Sequence, residues 1–386
     1  MNKINVIILP SVVFISLVLG GCTKDEVTVT PSGGVYVSAS AGANFDQSVQ
    51  TTITGEDISQ FDLGKIHRAL QDANTVFMAA GEKGMVRSKD DGEIWEVIST
   101  SLFTTIDIAL MKNGVLLAAG IDTDGQGSVM RSIDDGKSWQ NVFTLPLPVV
   151  KKRFQIISGG SALPTSIVAL EVDPRLEDKV WAGTNDGTLF SAESSGQVWK
   201  TITELSSASE IITGDRSDAG VVRMEVSSTT PDELFIVTQK KQLIRLLEGK
   251  ATVIKVPESV TTPSPYGIVL DSRNILDVSF IPGFPNALLL GTDKGAVTTK
   301  DGAKSFGELK LPFDASKIVS TMVVAVSPTN SNRMLFAADG IVYRSEDGGT
   351  AWHTTSVGPV GFAITDISIN PKNASRVLAV LKAIVN

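Results

Sequence analysis

The sequence contains few of the residues on which many enzymes and metal proteins rely. Its 386 residues include one cysteine, two histidines and three tyrosines. A single cysteine excludes an internal disulfide and a cysteine-based metal site, so the stability of the fold must come from its core. Two histidines do not make a convincing Ser-His-Asp set, and no phosphate-cradling glycine loop precedes a helical segment.

Basic residues are also in the minority. The chain has 34 lysines and arginines against 42 acidic residues, a formal net charge of −8. This balance argues against nucleic acid or an anionic membrane surface as the main partner. Apolar residues make up 42% of the sequence, which is enough for a substantial buried core.

The N-terminal apolar stretch is shorter than a typical membrane-spanning helix. Residues 4–19 are almost wholly apolar, whereas a spanning helix needs about 20 such residues. Leu19-Gly20-Gly21-Cys22 follows and resembles the bacterial lipobox, in which an aliphatic and two small residues precede an acylated cysteine. We therefore expect residues 1–21 to be a lipoprotein signal peptide and Cys22 to carry a lipid.

The segment after the cysteine is polar and rich in small residues. Residues 22–33 therefore predict a short lipid-anchored tether. An exported protein of this kind would be anchored to the outer membrane or to the outer face of the cytoplasmic membrane. It would face the periplasm or the exterior.

An eight-residue repeat is the strongest internal signal. The pattern S-x-D-x-G-x-x-W is complete at 88–95, 132–139 and 345–352 and degenerate at 38–45, 192–199 and 299–306. Aspartate accepts hydrogen bonds from the main chain of its own turn, glycine permits a left-handed turn, and the aromatic fills the seam beside it. The residues assigned this structural role are Ser88, Asp90, Gly92, Trp95, Ser132, Asp134, Gly136, Trp139, Asp301, Phe306, Ser345, Asp347, Gly349 and Trp352.

Each copy of the pattern lies in a longer unit of four short predicted strands. The third-strand positions recur every 44 to 60 residues and give seven phases, as in the antiparallel blades of a β-propeller. The N-terminal segment supplies only a third and a fourth strand, and the C-terminal segment only a first and a second. We therefore predict an all-β, seven-bladed propeller over residues 34–386, closed by a composite blade.

These motifs resemble the BNR-repeat, or Asp-box, superfamily of propellers. That superfamily includes sialidases, sortilin-type receptors, xyloglucan-hydrolysing propellers and photosystem II assembly-factor propellers. The resemblance implies that the boxes lie on one face and the interblade links on the other. Three long links, at 145–164, 204–220 and 257–274, predict a loop-rich binding face.

Polar residues recur at one position of the predicted first strands, which line the central channel of a propeller. Aligning these strands gives a candidate binding site at the channel mouth, with Glu171 and Glu225 two residues beyond the aligned position. A small polar ligand or a cation would suit this site, and a hydrated channel with internal salt bridges is the alternative. The aligned candidates are His67, Asp107, Arg223, Asp277 and Asp366.

The functional prediction is a non-catalytic propeller that binds a partner protein or glycan on its loop-rich face. The tyrosines Tyr36 and Tyr343 occupy equivalent strand positions before boxes, which favours packing over a sialidase nucleophile. No metal or cofactor is expected. The alternative is a glycoside hydrolase of the sialidase or xyloglucanase type, since acids of the channel could converge as a catalytic pair.

Overall fold

The structure is a computed structural model that describes residues 33–53, 56–69, 71–146, 165–176, 178–205, 216–257, 273–284, 286–312 and 322–384. Within these ranges, 28 strands form seven four-stranded antiparallel sheets. The other regular elements described are short 3-10 turns at Ile58–Gln60 and Arg216–Ala219. The predicted all-β, seven-bladed propeller is confirmed.

Six blades are continuous in sequence. Blade 1 contains β3 (His67–Arg68), β4 (Val76–Ala79), β5 (Met85–Ser88) and β6 (Glu96–Ile98). Blade 2 contains β7 (Thr104–Leu110), β8 (Leu116–Ile121), β9 (Gly127–Ser132) and β10 (Gln140–Thr144). Blade 3 contains β11 (Ile167–Val172), β12 (Val180–Thr184), β13 (Thr188–Glu193) and β14 (Val198–Glu204).

The next three blades follow the same order. Blade 4 contains β15 (Val221–Val226), β16 (Glu233–Thr238), β17 (Leu243–Leu247) and β18 (Lys250–Ile254). Blade 5 contains β19 (Ile275–Phe280), β20 (Leu288–Thr292), β21 (Gly295–Thr299) and β22 (Gly307–Glu308). Blade 6 contains β23 (Met322–Ser327), β24 (Asn330–Ala338), β25 (Ile341–Ser345) and β26 (His353–Ser356).

Blade 7 joins the two ends of the ring, as predicted. Its strand order is β2 (Asp46–Ser48), β1 (Gly34–Ser38), β28 (Val377–Ala383) and β27 (Phe362–Ile369). β1 pairs antiparallel with β28, with Gly34 opposite Leu381 and Ser38 opposite Val377. This pairing satisfies main-chain groups that would otherwise form an open sheet edge.

The apolar core is divided among seven seams between neighbouring blades. Successive side chains of a strand point to opposite faces of its sheet, so each blade contributes apolar residues to both of its seams. The seam between blades 7 and 1 buries Trp95 against Val37 and Leu378, for example. The seven apolar clusters correspond one to one with the seven seams.

Each copy of the eight-residue repeat, called a box below, forms a turn between the third and fourth strands of its blade. The polar side chains of these box turns form hydrogen bonds within the turn itself. Ser88 Oγ accepts the N–H of Gly92 at 2.8 Å and donates to Asp90 at 2.6 Å, while Asp90 Oδ1 accepts the N–H groups of Glu93 and Ile94. Equivalent bonds surround the acids of the three other copies that have aspartate at this position. They join Ser132 to Asp134, Thr299 to Asp301, and Ser345 to Asp347.

Glycine at the fifth position of the three complete boxes lets each of these turns pack on the preceding blade. Gly92 has φ +92°, and a Cβ added there would lie 2.7 Å from Leu378 of blade 7. A larger residue would therefore be strained by its backbone and would also clash. The box aromatics close the same turns, since Trp139 and Trp352 each donate an indole N–H to a glycine carbonyl of their own box.

Several predicted features lie outside the described residues. They are the signal peptide, Cys22, the tether up to residue 32, and most of the three long links. Among the residues that the structure does describe, no helix has the length and apolar character needed to cross a bilayer.

Candidate functional site

A β-bulge recurs at the same point of the first strands. In five of the described first strands the pairing register shifts just before the aligned position. A bulge places two consecutive residues opposite one partner residue, which re-aims the side chains there. The aligned residues that follow these bulges are Asp107, Ala169, Arg223, Asp277 and Asp366.

The predicted alignment of the first strands, which matched His67 of blade 1 to Asp107 of blade 2, is wrong by two residues. His67 pairs with Phe77, which is the place that Ala109 takes opposite Leu117 in blade 2. Two residues back, Lys65 is therefore the blade 1 residue that corresponds to Asp107. The error has a physical reason, because β3 has only two residues in its ladder and offers no alternating pattern to align.

His67 nevertheless belongs to the same group of side chains. Its Nε2 lies 2.7 Å from Asp107 Oδ1, so blades 1 and 2 are joined inside the channel. Asp107 Oδ1 also accepts the N–H of Ile108 at 2.9 Å. The histidine therefore interacts with an acid that already has a main-chain partner.

The three channel aspartates share one structural role. In each, one carboxylate oxygen accepts a main-chain N–H from the first strand, or the residue just before it, in the next blade. Hydrogen bonds to a carboxylate are stronger than neutral ones, so these bonds join neighbouring blades around the channel. The donors are Leu170 for Asp107 at 2.8 Å, Val324 for Asp277 at 2.9 Å, and Ile66 for Asp366 at 2.7 Å.

Arg223 joins two of these aspartates across the channel. Its Nε lies 2.9 Å from Asp277 Oδ1, and its Nη1 lies 2.8 Å from Asp366 Oδ1. Burial alone would lower the pKa of Arg223, but the two carboxylates hold it above its ordinary value. Burial also raises the pKa of Asp277, against the opposing effect of Arg223. One guanidinium thus ties blade 4 to blades 5 and 7.

A second ion pair spans blades 1 and 3. Lys65 Nζ contacts Glu171 Oε1. Burial would lower the pKa of Lys65, but Glu171 and other nearby acids raise it above its ordinary value. Sequence alignment missed Lys65, and only the strand register reveals its position.

Glu225 lies near this pair. Its side-chain carboxyl forms no hydrogen bond with the described residues. Burial raises the pKa of its carboxyl to about 7, with Glu171 acting in the same direction and Lys65 against it. We therefore expect the Glu225 carboxyl to change charge near neutral pH. The charged groups that act on this carboxyl are Lys65, Glu171, Arg223 and Asp277.

We expect the stability of the ring to fall as the pH rises through the titration of Glu225. The folded chain holds this proton up to a pH of about 7, whereas the unfolded chain releases it near 4.5, so the free energy of unfolding decreases between these values. Glu225→Gln removes the buried charge and should be about 1–3 kcal/mol more stable than the native chain at pH 8. At pH 5 the difference should fall below about 1 kcal/mol.

Urea denaturation at the two pH values measures this difference. Glu82→Gln is the matched control, because Glu82 is exposed and its substitution should give no pH-dependent gain. An equal effect of Glu225→Gln at pH 5 and pH 8 would contradict the assignment.

Two adjoining hollows open at the channel mouth. One, of about 360 Å³, is lined by charged residues that include Lys65, Glu171 and Arg223. The other, of about 270 Å³, is mostly apolar and is lined by Leu276 and Met322. Val222 and Thr365 line both. In the described part of the chain, no three His, Cys, Asp or Glu side chains are placed to hold a metal ion.

Comparison with known proteins supports the fold and leaves the activity open. No family model matches the chain. A xyloglucanase from Paenibacillus sp. is 25% identical over 270 residues, which is 62% of this chain and 25% of that protein. The chain therefore spans about a quarter of the length of this curated relative.

Solved structures of similar fold include both binding proteins and enzymes. YCF48 from Cyanidioschyzon merolae has a TM-score of 0.58 at 16% identity, covering 84% of this chain and 94% of that one. YCF48 bound to D1 peptide gives 0.51 at 17% identity, over 84% and 92% of the two chains. The GH74 enzyme of Niastella koreensis gives 0.58 at 14% identity, over 92% and 52%. At these identities the likeness establishes the propeller fold alone.

Proposed function

We propose that this chain is a membrane-anchored, non-catalytic propeller that binds a partner protein or glycan in the cell envelope, as a scaffold for assembly or adhesion. One observation carries the non-catalytic part. The acids that sequence analysis offered as a catalytic pair are bound to the main chain of neighbouring blades. Their polar atoms are used to hold the ring together.

A catalytic carboxyl must reach the reacting atoms of its substrate. General acid–base catalysis needs a hydrogen-bond distance to the transferred proton. Asp277 has both oxygens bonded to main-chain N–H groups, from Val278 and Val324, and only 3% of its side chain is exposed. Asp366 shares the Arg223 guanidinium with it. Either acid would have to break ring contacts before it could protonate a glycosidic oxygen.

Binding of a partner protein is supported by the comparison with single-ring proteins. YCF48 is a chain of nearly the same extent, and one of its structures contains a D1 peptide. The GH74 enzyme is about twice as long as the part that this chain matches. The propeller fold therefore occurs in a protein that has been seen with a bound peptide, which supports protein binding as the proposed role.

Anchoring follows from the lipobox-like sequence before Cys22. A tether over residues 22–33 reaches about 40 Å at full extension. The ring would then work close to its membrane, either the outer membrane or the outer face of the cytoplasmic membrane.

Fractionation and affinity capture test the proposal together. We expect the native chain in the membrane fraction and Cys22→Ser in the soluble fraction as a folded ring, because the apolar seams do not involve the lipid.

Capture of the acylated chain from detergent-solubilised membranes, followed by mass spectrometry, should recover a partner that a control lacking residues 34–386 does not recover. Membrane retention of Cys22→Ser would contradict the anchor, and identical captures would contradict partner binding.

The alternative function is a carbohydrate-active hydrolase, favoured by the 25% identity to a xyloglucanase. Incubation of the purified chain with xyloglucan decides between the two functions. Release of reducing sugar that is lost in a folded Asp277→Asn variant would establish hydrolysis and overturn the non-catalytic proposal.

A further inference from the structure

A hollow of about 520 Å³ lies on the outer rim of the ring, between the last two strands of blade 4 and the box turn of blade 5. We call it the rim hollow. Its polar lining includes one arginine, one lysine and one threonine of blade 4, and two apolar side chains lie beside them. The lining residues that matter below are Arg245, Leu247, Lys250, Thr252, Ile254 and Gly302.

A contact between neighbouring blades recurs elsewhere on this rim. Arg87, on the third strand of blade 1, binds the carboxylate of Glu96 on its own fourth strand and that of Asp135 on the box turn of blade 2. Arg131 of blade 2 donates from Nε to the carbonyl of Ser195 at 2.9 Å. Asp135 and Ser195 both occupy the fourth position of their boxes. The arginine of one blade therefore reaches an acceptor at the fourth box position of the next blade.

The same place in blade 4 has the arginine but lacks both of the acids. The strand register puts Arg245 at the position of Arg87. Thr252 lies opposite Arg245 where Glu96 lies opposite Arg87. At the fourth box position of blade 5 the residue is Gly302, which has no side chain to offer. The rim hollow occupies the space that two carboxylates fill between blades 1 and 2.

Arg245 consequently has an open side. Its Nε donates to Glu233 Oε1 at 2.7 Å, and the Glu233 side chain is fully buried. The Arg245 side chain is 30% exposed, compared with 6% for Arg87. No other described residue forms an ion pair or hydrogen bond with the Arg245 guanidinium. Because a guanidinium can bind more than one acceptor, Arg245 can take a second carboxylate from the rim hollow.

We infer that the rim hollow binds an aspartate or glutamate side chain of a partner protein, with its carboxylate on Arg245. This rests on the proposed function as a binding propeller. The structure favours a side chain over a chain terminus because Asp135 makes the equivalent contact as a side chain that projects from a turn. Leu247 and Ile254 would contact an apolar residue beside the acid.

Pairing geometry, and not an excess of positive charge, provides the selectivity. Arg245 and Lys250 are balanced by Glu248 and the buried Glu233. A carboxylate from a partner would give Arg245 two acidic partners, which is the number that Arg87 has within the ring. A neutral amide would lack the charge that strengthens such hydrogen bonds.

The substitution Gly302→Asp tests the inference, because it restores the missing acid of the box. Gly302 has φ +72°, close to the φ +63° that Asp135 adopts. A Cβ added at Gly302 would lie 3.6 Å from Asn286 Cβ, which is an ordinary contact. We therefore expect this variant to fold, to bind its own Arg245 and to fill the rim hollow.

Gly348→Asp is the matched control. Gly348 holds the fourth box position of blade 6 with φ +73°. The residue at the arginine position of the preceding blade is Thr298, which cannot form an ion pair. This variant adds the same charge to the same kind of turn without occupying the rim hollow.

Paired peptides measure binding by calorimetry or by NMR shifts. We expect the native chain to bind acetyl-Leu-Asp-Ala-Leu-amide at least about fivefold more tightly than acetyl-Leu-Asn-Ala-Leu-amide. Gly302→Asp should bind the acidic peptide about tenfold more weakly, whereas Gly348→Asp should bind it as the native chain does. Arg245→Lys keeps a cation beside the buried Glu233 but removes the planar fork, and should weaken binding about fivefold.

A third peptide tests the source of the carboxylate. It is acetyl-Leu-Asn-Ala-Leu with a free C-terminus, so that its one carboxylate is terminal. Tighter binding of this peptide than of the aspartate peptide would overturn the assignment of an acidic side chain. Equal binding of the aspartate and asparagine peptides, or equal losses in the two glycine variants, would also overturn it.

Capture from solubilised membranes separates this inference from the proposed function. If Gly302→Asp still captures the partner of the native chain, partner binding stands and the rim hollow is not its site. If the native chain captures no partner but binds the aspartate peptide selectively, and Gly302→Asp does not, the rim hollow stands and the proposed function fails.

Discussion

Replacement of Arg223 by leucine is expected to lower the free energy of unfolding by about 3–5 kcal/mol. The substitution leaves Asp277 and Asp366 buried in the channel without the guanidinium that pairs with both. Removing one partner of a buried ion pair costs far more than the pair itself contributes, because the remaining charge stays desolvated. Urea denaturation at neutral pH, followed by tryptophan fluorescence, measures the loss.

Two comparisons show whether the unpaired buried carboxylates cause the loss of stability in Arg223→Leu. The loss should shrink as the pH is lowered, since burial raises the pKa of Asp277 and its protonation removes part of the charge that Arg223 balanced. Arg333→Leu is the control, because its pair with Glu346 is more exposed and should contribute less than about 1 kcal/mol. A loss at Arg223 no larger than that of the control would refute the role given to the channel network.

The second large effect is expected at the seam where the ring closes. Asp91 of blade 1 binds Arg68 of its own blade and, on blade 7, Asn370 Nδ2 at 2.8 Å and Arg376 Nε at 3.4 Å. Burial lowers the pKa of Arg68, and Asp91 acts against that effect. Asp91→Ala should therefore cost about 3–5 kcal/mol, since it strands a buried guanidinium.

Hydrogen exchange locates this effect as well as measuring it. We expect Asp91→Ala to accelerate exchange in β3 and β27, the first strands on either side of the seam, before the rest of the ring. Asp135→Ala is the matched control at the same box position of blade 2. Asp135 is 58% exposed where it meets Arg87, so its loss should be under about 1 kcal/mol. Similar losses in the two variants would show that the closing seam has no special dependence on Asp91.

The sequence by itself determined the number of blades, their strand order and the composite closure. These features depend on local signals. The hydrogen bonds of a box join residues at most four apart, as between Ser88 and Gly92. Each four-stranded unit repeats its own apolar pattern. Such short-range patterns can be recognised without knowledge of the neighbouring blade.

Only the tertiary structure decided what the channel residues do. Blade 1 was misaligned, so that His67 took the place of Lys65, because β3 pairs over only two residues and has no alternation to align. The partners of the channel acids are also distant in sequence, since Asp366 binds the N–H of Ile66. Whether a carboxylate is free for a ligand depends on which main-chain groups of the next blade reach it, and closure of the ring settles that.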